Sequence, residues 1–301
     1  MSFVGTLALT GLGSLIYKYD TNQIFEKHPN VELSIKEYYS KVYKKEAKQL
    51  SERYISSLVN FFPGVLDGYS LAYPFRGCHE LLKNLPEYSM ISLWMLTGYL
   101  LMFSLTGFAY WATITPMYIA LFGILGPPGI LIVILHSFIH INMLTMMYMR
   151  MAHYNNKLVM KYLNVHGVPK SFTKIPVKYY IPFFSTYYWL YEFPSKLIKY
   201  TCGTIVLLVL MTFSTIPLFG PLFFNIVISP VITRIYVSKY LRLRGVNNIQ
   251  RYEHLYENFG SYTAFGLSCA IIESIPIVSG FALCSNTLAA VMWGIKREEL
   301  N

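Results

Sequence analysis

His136 and His140 stand four residues apart inside a long uncharged run, a spacing that puts both on one face of a helix. Two imidazoles so placed can ligate a metal. Membrane desaturases and hydroxylases, however, need further histidine clusters, and His28, His79, His153, His166 and His254 form none. The pair therefore reads as buried or pore-facing polar groups. The chain holds two aspartates, Asp20 and Asp67, too few for the multi-aspartate metal site of a lipid phosphotransferase, and it has no nucleophile elbow. Its four cysteines, Cys78, Cys202, Cys269 and Cys284, lack metal-ligand spacing and read as reduced packing residues. No catalytic set, metal or cofactor is expected, and the enzyme classes fall away.

Glu273 is the sharpest single residue. It is the one charge between Glu257 and Lys296, beside the Ile275-Pro276 break. An ionisable group in a membrane segment is costly and marks function by default. Two readings stand: a proton- or ion-handling carboxylate, or a structural one hydrogen-bonded across the hairpins to Asn286 or a tyrosine.

The elements that must position these residues follow from composition. In 301 residues, 54% are hydrophobic and 13% charged, and the mean hydropathy is +0.41. No Asp, Glu, Lys or Arg falls between Glu87 and Arg150, or between Lys199 and Arg234. A soluble chain of this size cannot bury such runs on every side, so they face lipid. The net charge of +10 sits in the gaps between apolar runs. It reads as juxtamembrane charge facing an anionic leaflet, with no nucleic acid as partner.

The first apolar block, about 88–149, is long enough for two spans of roughly 20 residues, placed at about 88–112 and 114–149. Pro116 and Gly126-Pro127-Pro128-Gly129 interrupt any helix between them. Later blocks at about 200–233 and 261–295 are broken by Ile216-Pro217-Leu218-Phe219-Gly220-Pro221 and by Ile275-Pro276. Each half of these blocks makes about 22 Å of helix, short of the roughly 30 Å hydrocarbon core. Both blocks are followed by basic residues: Arg234, Lys239, Arg242, Arg244 and Arg251 after one, Lys296 and Arg297 after the other. The expected fold is an all-α integral membrane protein. It has two long transmembrane helices and two re-entrant helical hairpins, bent at Pro217, Gly220 and Pro221 and at Pro276, with amphipathic interfacial helices. The two later blocks form a weak internal repeat, Ser214-Thr215-Ile216-Pro217 echoing Ser274-Ile275-Pro276. Broken helices in corresponding repeats can mark a transport site; the plainer account is that proline sets the bend.

Residues 1–65 form a preceding region. Phe3 to Tyr17 is short and mildly apolar, without a secretory signal pattern, and reads as an interfacial or docking segment, with a signal anchor as the alternative. Lys18 to Ser57 reads as solvated helix. A turn-rich link from Phe62 to Gly77 follows, then a short amphipathic helix from Cys78 to Leu85. The basic segment from Arg150 to Lys199 is expected on the cytosolic side, its aromatic stretch Tyr179 to Tyr191 lying along the interface.

Several motifs carry a family likeness. Asn258-Phe259-Gly260, Phe265-Gly266, Glu273-Ser274-Ile275-Pro276-Ile277-Val278-Ser279 and Asn286-Thr287-Leu288-Ala289-Ala290-Val291-Met292-Trp293, closing on Glu298, belong together. With Tyr73-Pro74-Phe75-Arg76-Gly77 and Ile216 to Pro221, they resemble fungal members of the etoposide-induced-protein/CysZ-like membrane superfamily, over about 66–299. Within it the chain is similar to the Lds-type lipid-droplet proteins of yeasts, which are implicated in outer spore wall assembly. The resemblance implies two long transmembrane helices and two pairs of partly penetrating ones. Bacterial members are sulfate permeases with an arginine pair in a Gly-Leu-Arg-Arg motif before the first span. Leu85-Pro86-Glu87-Tyr88 stands here instead, with no arginine, although Arg76 nearby is able to attract an anion.

The resulting expectation is a non-enzymatic membrane protein of lipid droplets and endoplasmic reticulum that contributes to spore wall assembly, with the prospore membrane or spore wall as a further location. A droplet has one leaflet over neutral lipid and cannot accept charged segments on its far side; here none need cross. Membrane lipids and a neutral-lipid surface are the expected partners, and a second copy of the chain and a small anion stay open. The alternative is an anion permease built on the same hairpins.

Overall fold

A computed structural model describes residues 25–27, 35–151, 156–167, 178–180, 188–189, 193–246 and 248–300. The expected N-terminal segment, Lys170, Lys174 and most of the aromatic stretch after Tyr180 lie outside them. The chain divides into two compact units, Met1–Glu52 with Lys174–Leu210, and Arg53–Thr173 with Met211–Asn301.

Helix dominates the described residues. The exception to the all-α expectation is a three-residue parallel pairing of β1 (Phe25–Lys27) with β2 (Lys178–Tyr180), in the first unit. Helix α1 (Ile35–Val59) begins in that unit and carries the polar, mixed-charge sequence expected of a solvated helix.

In the second unit, α2 (Phe61–Leu66) and α3 (Tyr69–Lys83) occupy the segment expected to be a turn-rich link. The difference has a packing cause. Pro74 is accommodated inside α3 because that helix lies against the last helix of the chain. Gly77 permits the approach: a Cβ there would overlap the Ser285 carbonyl oxygen and meet Ala289 Cβ at 2.7 Å.

Among the described residues, four helices are long and apolar enough to cross a membrane: α4 (Leu85–Thr113), α6 (Pro127–Met151), α9 (Phe219–Leu243) and α12 (Val278–Leu300). Short α5 (Thr115–Phe122) and a 3-10 turn, Gly123–Leu125, separate the first two. Gly126, at φ +69°, then starts the reversal into α6. The second long helix therefore starts at Pro127, later than the 114 read from hydropathy, because Pro116 opens a helix of its own. The sequence led us to expect two helices of crossing length. Among the described residues four reach it: α9 continues past its apolar block into the basic segment, where 25 residues give about 37 Å, and Pro276 lies early enough in its block to leave α12 an apolar span of 19 residues to Lys296.

The remaining elements are α7 (Asn156–Val165), α8 (Phe193–Ser214, from the first unit into the second), α10 (Asn248–Glu257) and α11 (Phe259–Glu273). The apolar part of α8, Tyr200–Ser214, and the whole of α11 are too short to cross by themselves. Helix α12 is central, with 78% of its apolar window buried against 17% for peripheral α4. Around it Tyr262 and Phe265 of α11 pack on Trp293, at ring separations of 5.2 and 5.4 Å. Helix α11 presses against α9 at Gly266, where a Cβ would overlap the Ser229 carbonyl.

Candidate functional site

Two turns of one design organise the buried polar groups. Thr215-Ile216-Pro217-Leu218 joins α8 to α9, and Ser274-Ile275-Pro276-Ile277 joins α11 to α12. In each, proline ends the helical path and the next residue adopts positive φ, +65° at Leu218 and +72° at Ile277. In each, the residue before proline accepts a backbone bond from the returning helix: Gly220 N–H to Ile216 O at 2.8 Å, and Ser279 N–H to Ile275 O at 3.0 Å. Gly220 is required, since a Cβ would overlap the Ser214 carbonyl; Pro221 follows inside the first turn of α9, where its missing N–H is tolerated.

The free backbone groups of each turn need partners. Helices α4, α5 and α6 supply them. The Leu218 N–H donates to His136 Nδ1, and the Ile277 N–H donates to the Tyr99 hydroxyl oxygen, both at 3.3 Å. Tyr118 donates to the Thr215 carbonyl at 2.5 Å, and Asn142 Nδ2 to the Glu273 carbonyl at 2.7 Å. Tyr99 in turn donates to Asn142 Oδ1 at 2.8 Å. His136, His140 and Asn142 all lie near the middle of α6, and Tyr99 near the middle of α4. Changing Tyr99 to Phe leaves the Ile277 N–H and one Asn142 oxygen lone pair unmet, and is expected to cost about 1–3 kcal/mol, read as a fall in the thermal midpoint of the detergent-solubilised protein.

The partners define both histidine tautomers. Ser214 Oγ donates to the Met211 carbonyl at 2.6 Å, so it accepts from His140 Nε2–H at 3.1 Å. His140 Nδ1 is then the acceptor for the Tyr110 hydroxyl at 2.8 Å. His136 Nδ1 accepts from backbone, which puts its proton on Nε2, a buried atom with no hydrogen-bond partner. The rings are 5.2 Å apart, yet each Nδ1 lone pair faces a donor. This pair is built to hold a turn, and among the described residues no group of three His, Cys, Asp or Glu side chains converges on a metal position.

At the second turn lies a buried ion pair. The Glu273 carboxylate receives Arg150 Nε at 2.8 Å and Arg150 Nη2 on Oε2, and Tyr236 and Asn286 Nδ2 each at 2.6 Å on Oε1. Side-chain exposure is 3% for Arg150 and 1% for Glu273. Helices α6, α9, α11 and α12 thus meet on one carboxylate. Charge and hydrogen bonds are both satisfied, the condition under which a buried pair survives.

Of the residues singled out from sequence, Glu273 and Asn286 are brought together at one turn, with Pro276 beside them. His136 and His140 meet at the other with Pro217, Gly220 and Pro221. Arg76 belongs to neither; its guanidinium stacks 5.2 Å from the rings of Tyr69 and Tyr73. From sequence Arg150 marks the end of a span and the start of a cytosolic segment; its pairing with Glu273, like the roles of Tyr99, Asn142 and Tyr236, emerges only in the fold. Their signal lies in α6, where His136, Ser137, His140, Asn142 and Thr145 run through an otherwise apolar helix.

Where the charged ends gather, Glu87 pairs with Lys161 at 2.6 Å, and Glu80 takes Asn84 Nδ2 at 2.8 Å with His166 Nε2 at 3.4 Å. Burial, then the nearby Glu80 charge, pushes the Tyr162 phenol up to about 12, so it stays neutral against His166.

These features define a helical protein with, among its described residues, four helices long and apolar enough to cross a membrane, whose internal polar groups fix two proline turns. No family model matches the chain, and no solved structure matches it. Among curated proteins it is 45% identical over 296 residues to outer spore wall protein LDS1 of Saccharomyces cerevisiae, covering 98% of this chain and 91% of that one. It is also 27% identical over 252 residues to outer spore wall protein RRT8 of the same yeast, covering 78% and 74%. The chain belongs to the family of the yeast outer spore wall protein LDS1.

Proposed function

We propose that this protein is a non-enzymatic, multi-pass membrane protein of the endoplasmic reticulum and lipid droplets that contributes to outer spore wall assembly. The reading rests on near full-length kinship with an outer spore wall protein, at 45% identity over 98% of the chain. The wider kinship with CysZ-like proteins is our own reading, supported by the paired proline hairpins.

The droplet placement is supported by the depth at which the turns are held. Their grips, His136, His140 and Asn142 on α6 and Tyr99 on α4, lie about midway along helices of crossing length. On this reading both short hairpins turn back inside the membrane. The extra length of α9 and α12 carries them out on the side they entered, to Lys239–Arg244 and Lys296. All charged ends then share the cytosolic side, as a monolayer over neutral lipid demands. A non-transporting role is supported by the Glu273 carboxylate, which is fully engaged by Arg150, Tyr236 and Asn286.

Deleting the gene in the organism that encodes it, and challenging its spores with a small impermeant dye, tests the role. Leaky spores repaired by re-expression are expected; walls as tight as those of the parent strain contradict it. A fluorescent tag should ring the droplets during lipid loading, and a uniform plasma-membrane signal would count against the placement.

A further inference from the structure

Lys239 is a buried cation without a counter-ion. It sits near the carboxyl end of α9 with 3% of its surface exposed, and its Nζ has no hydrogen-bond partner. An ammonium removed from water needs an anion and hydrogen-bond acceptors, or its burial is strongly unfavourable. No described salt bridge reaches Lys239, and the acids of the described pairs are engaged elsewhere: Glu273 by Arg150, Glu87 by Lys161, Glu80 by Asn84 and His166, and Glu253 by Arg53. The charged neighbours have the wrong sign. Arg242 follows one turn later and is exposed, and both Arg242 and Arg234 act on Arg251 of α10 as like charges. Arg234 is held 3.7 Å over the Tyr252 ring, and Arg251 Nη1 donates to the Val246 carbonyl at 3.2 Å. These fixed cations surround one end of α9 with positive field.

We infer that Lys239, together with the exposed Arg242 one turn on, binds a phosphate group. A phosphate brings the missing negative charge and three or more acceptor oxygens, and a lysine takes it as a point charge. The position also fits. Lys239 lies at the basic end of a helix of crossing length, the depth at which phospholipid headgroups stand. An anionic lipid headgroup and a free phosphate share this chemistry, and the experiment separates them. The inference does not depend on the spore wall role.

The test is thermal unfolding of the full chain in neutral detergent, titrated with short-chain phosphatidic acid, with phosphatidylcholine of the same chain length, and with inorganic phosphate. A saturable rise in midpoint is expected with phosphatidic acid and none with phosphatidylcholine, because ligands of the native state stabilise it. A similar rise with inorganic phosphate would assign the same site to the free ion. K239M should weaken the apparent affinity about tenfold or more, the loss of one charged hydrogen bond, with R242Q weakening it less. Unliganded K239M should unfold no earlier than the parent, since it removes an unpartnered cation. Should K239M fail to fold, R242Q and the parent titration decide. No saturable rise with either phosphate compound, or variants that titrate like the parent, would overturn the inference.

Discussion

Changing Glu273 to Ala is expected to destabilise the protein by about 3–5 kcal/mol, because it strands the Arg150 guanidinium with no compensating charge. The effect exceeds that of a lost hydrogen bond. Arg150 is 3% exposed and cannot recover water without opening the packing of α6 on α9 and α12. For a purely structural carboxylate bonded to Asn286 or a tyrosine, Glu273→Gln would be tolerated, since an amide retains hydrogen-bonding capacity. The presence of Arg150 reverses that expectation: Gln keeps an oxygen for Tyr236 or Asn286 but leaves the cation unpaired, so it too should fall by several kcal/mol. Arg150→Met should behave alike, for the opposite charge. The double variant Arg150→Met with Glu273→Met should recover most of either loss, since a buried pair replaced by apolar groups of similar volume is often neutral. Thermal midpoints and yields of the four variants in one detergent check this. If the double variant is as unstable as the sum of the singles, the two residues do not act as a pair.

The second large effect is steric. Gly77→Ala should cost about 1–3 kcal/mol or more, as an overpacked contact does. Its new Cβ would overlap the Ser285 carbonyl and meet the Ala289 amide nitrogen at 2.9 Å, backbone atoms that cannot rotate aside. Gly266→Ala should behave likewise against Ser229 and Thr233 Oγ1. Gly98 is the control. It lies mid-helix with the Met149 methyl at 3.7 Å, an ordinary contact, so Gly98→Ala should be neutral or raise stability by up to about 1 kcal/mol through helix propensity. Unfolding midpoints of the three variants test whether helix contact, rather than the glycine count, sets the packing.

Hydropathy and proline carried much of the architecture into view. Uncharged runs located the apolar blocks, and Pro217 and Pro276 located the two reversals. Glu273 stood out because charge in such a run is rare. What stayed hidden was pairing over distance. Arg150 lies 123 residues from Glu273 and sits at the edge of its apolar block, where arginine ordinarily snorkels to the surface. Nothing local distinguishes it from the lysines that follow. Helix length was hidden for a related reason. The end of α9 alternates tyrosine and apolar residues with Lys and Arg, so it leaves the uncharged run while remaining helical and packed. The Tyr73 to Gly77 segment was read from proline and glycine as a turn. In the fold Gly77 is the contact that lets α3 lie on α12, and tertiary packing outweighs local propensity.

We propose that both proline turns are held inside the membrane and return to the basic side. Single cysteines at Lys157, Thr215 and Ser274, in a chain whose four native cysteines are replaced, test it by labelling with an impermeant maleimide in sealed, oriented vesicles. Lys157→Cys should label from the cytosolic side, while Thr215→Cys and Ser274→Cys stay unlabelled from either side until detergent is added. Labelling of either turn from the opposite side would show that its hairpin crosses, and would contradict the account.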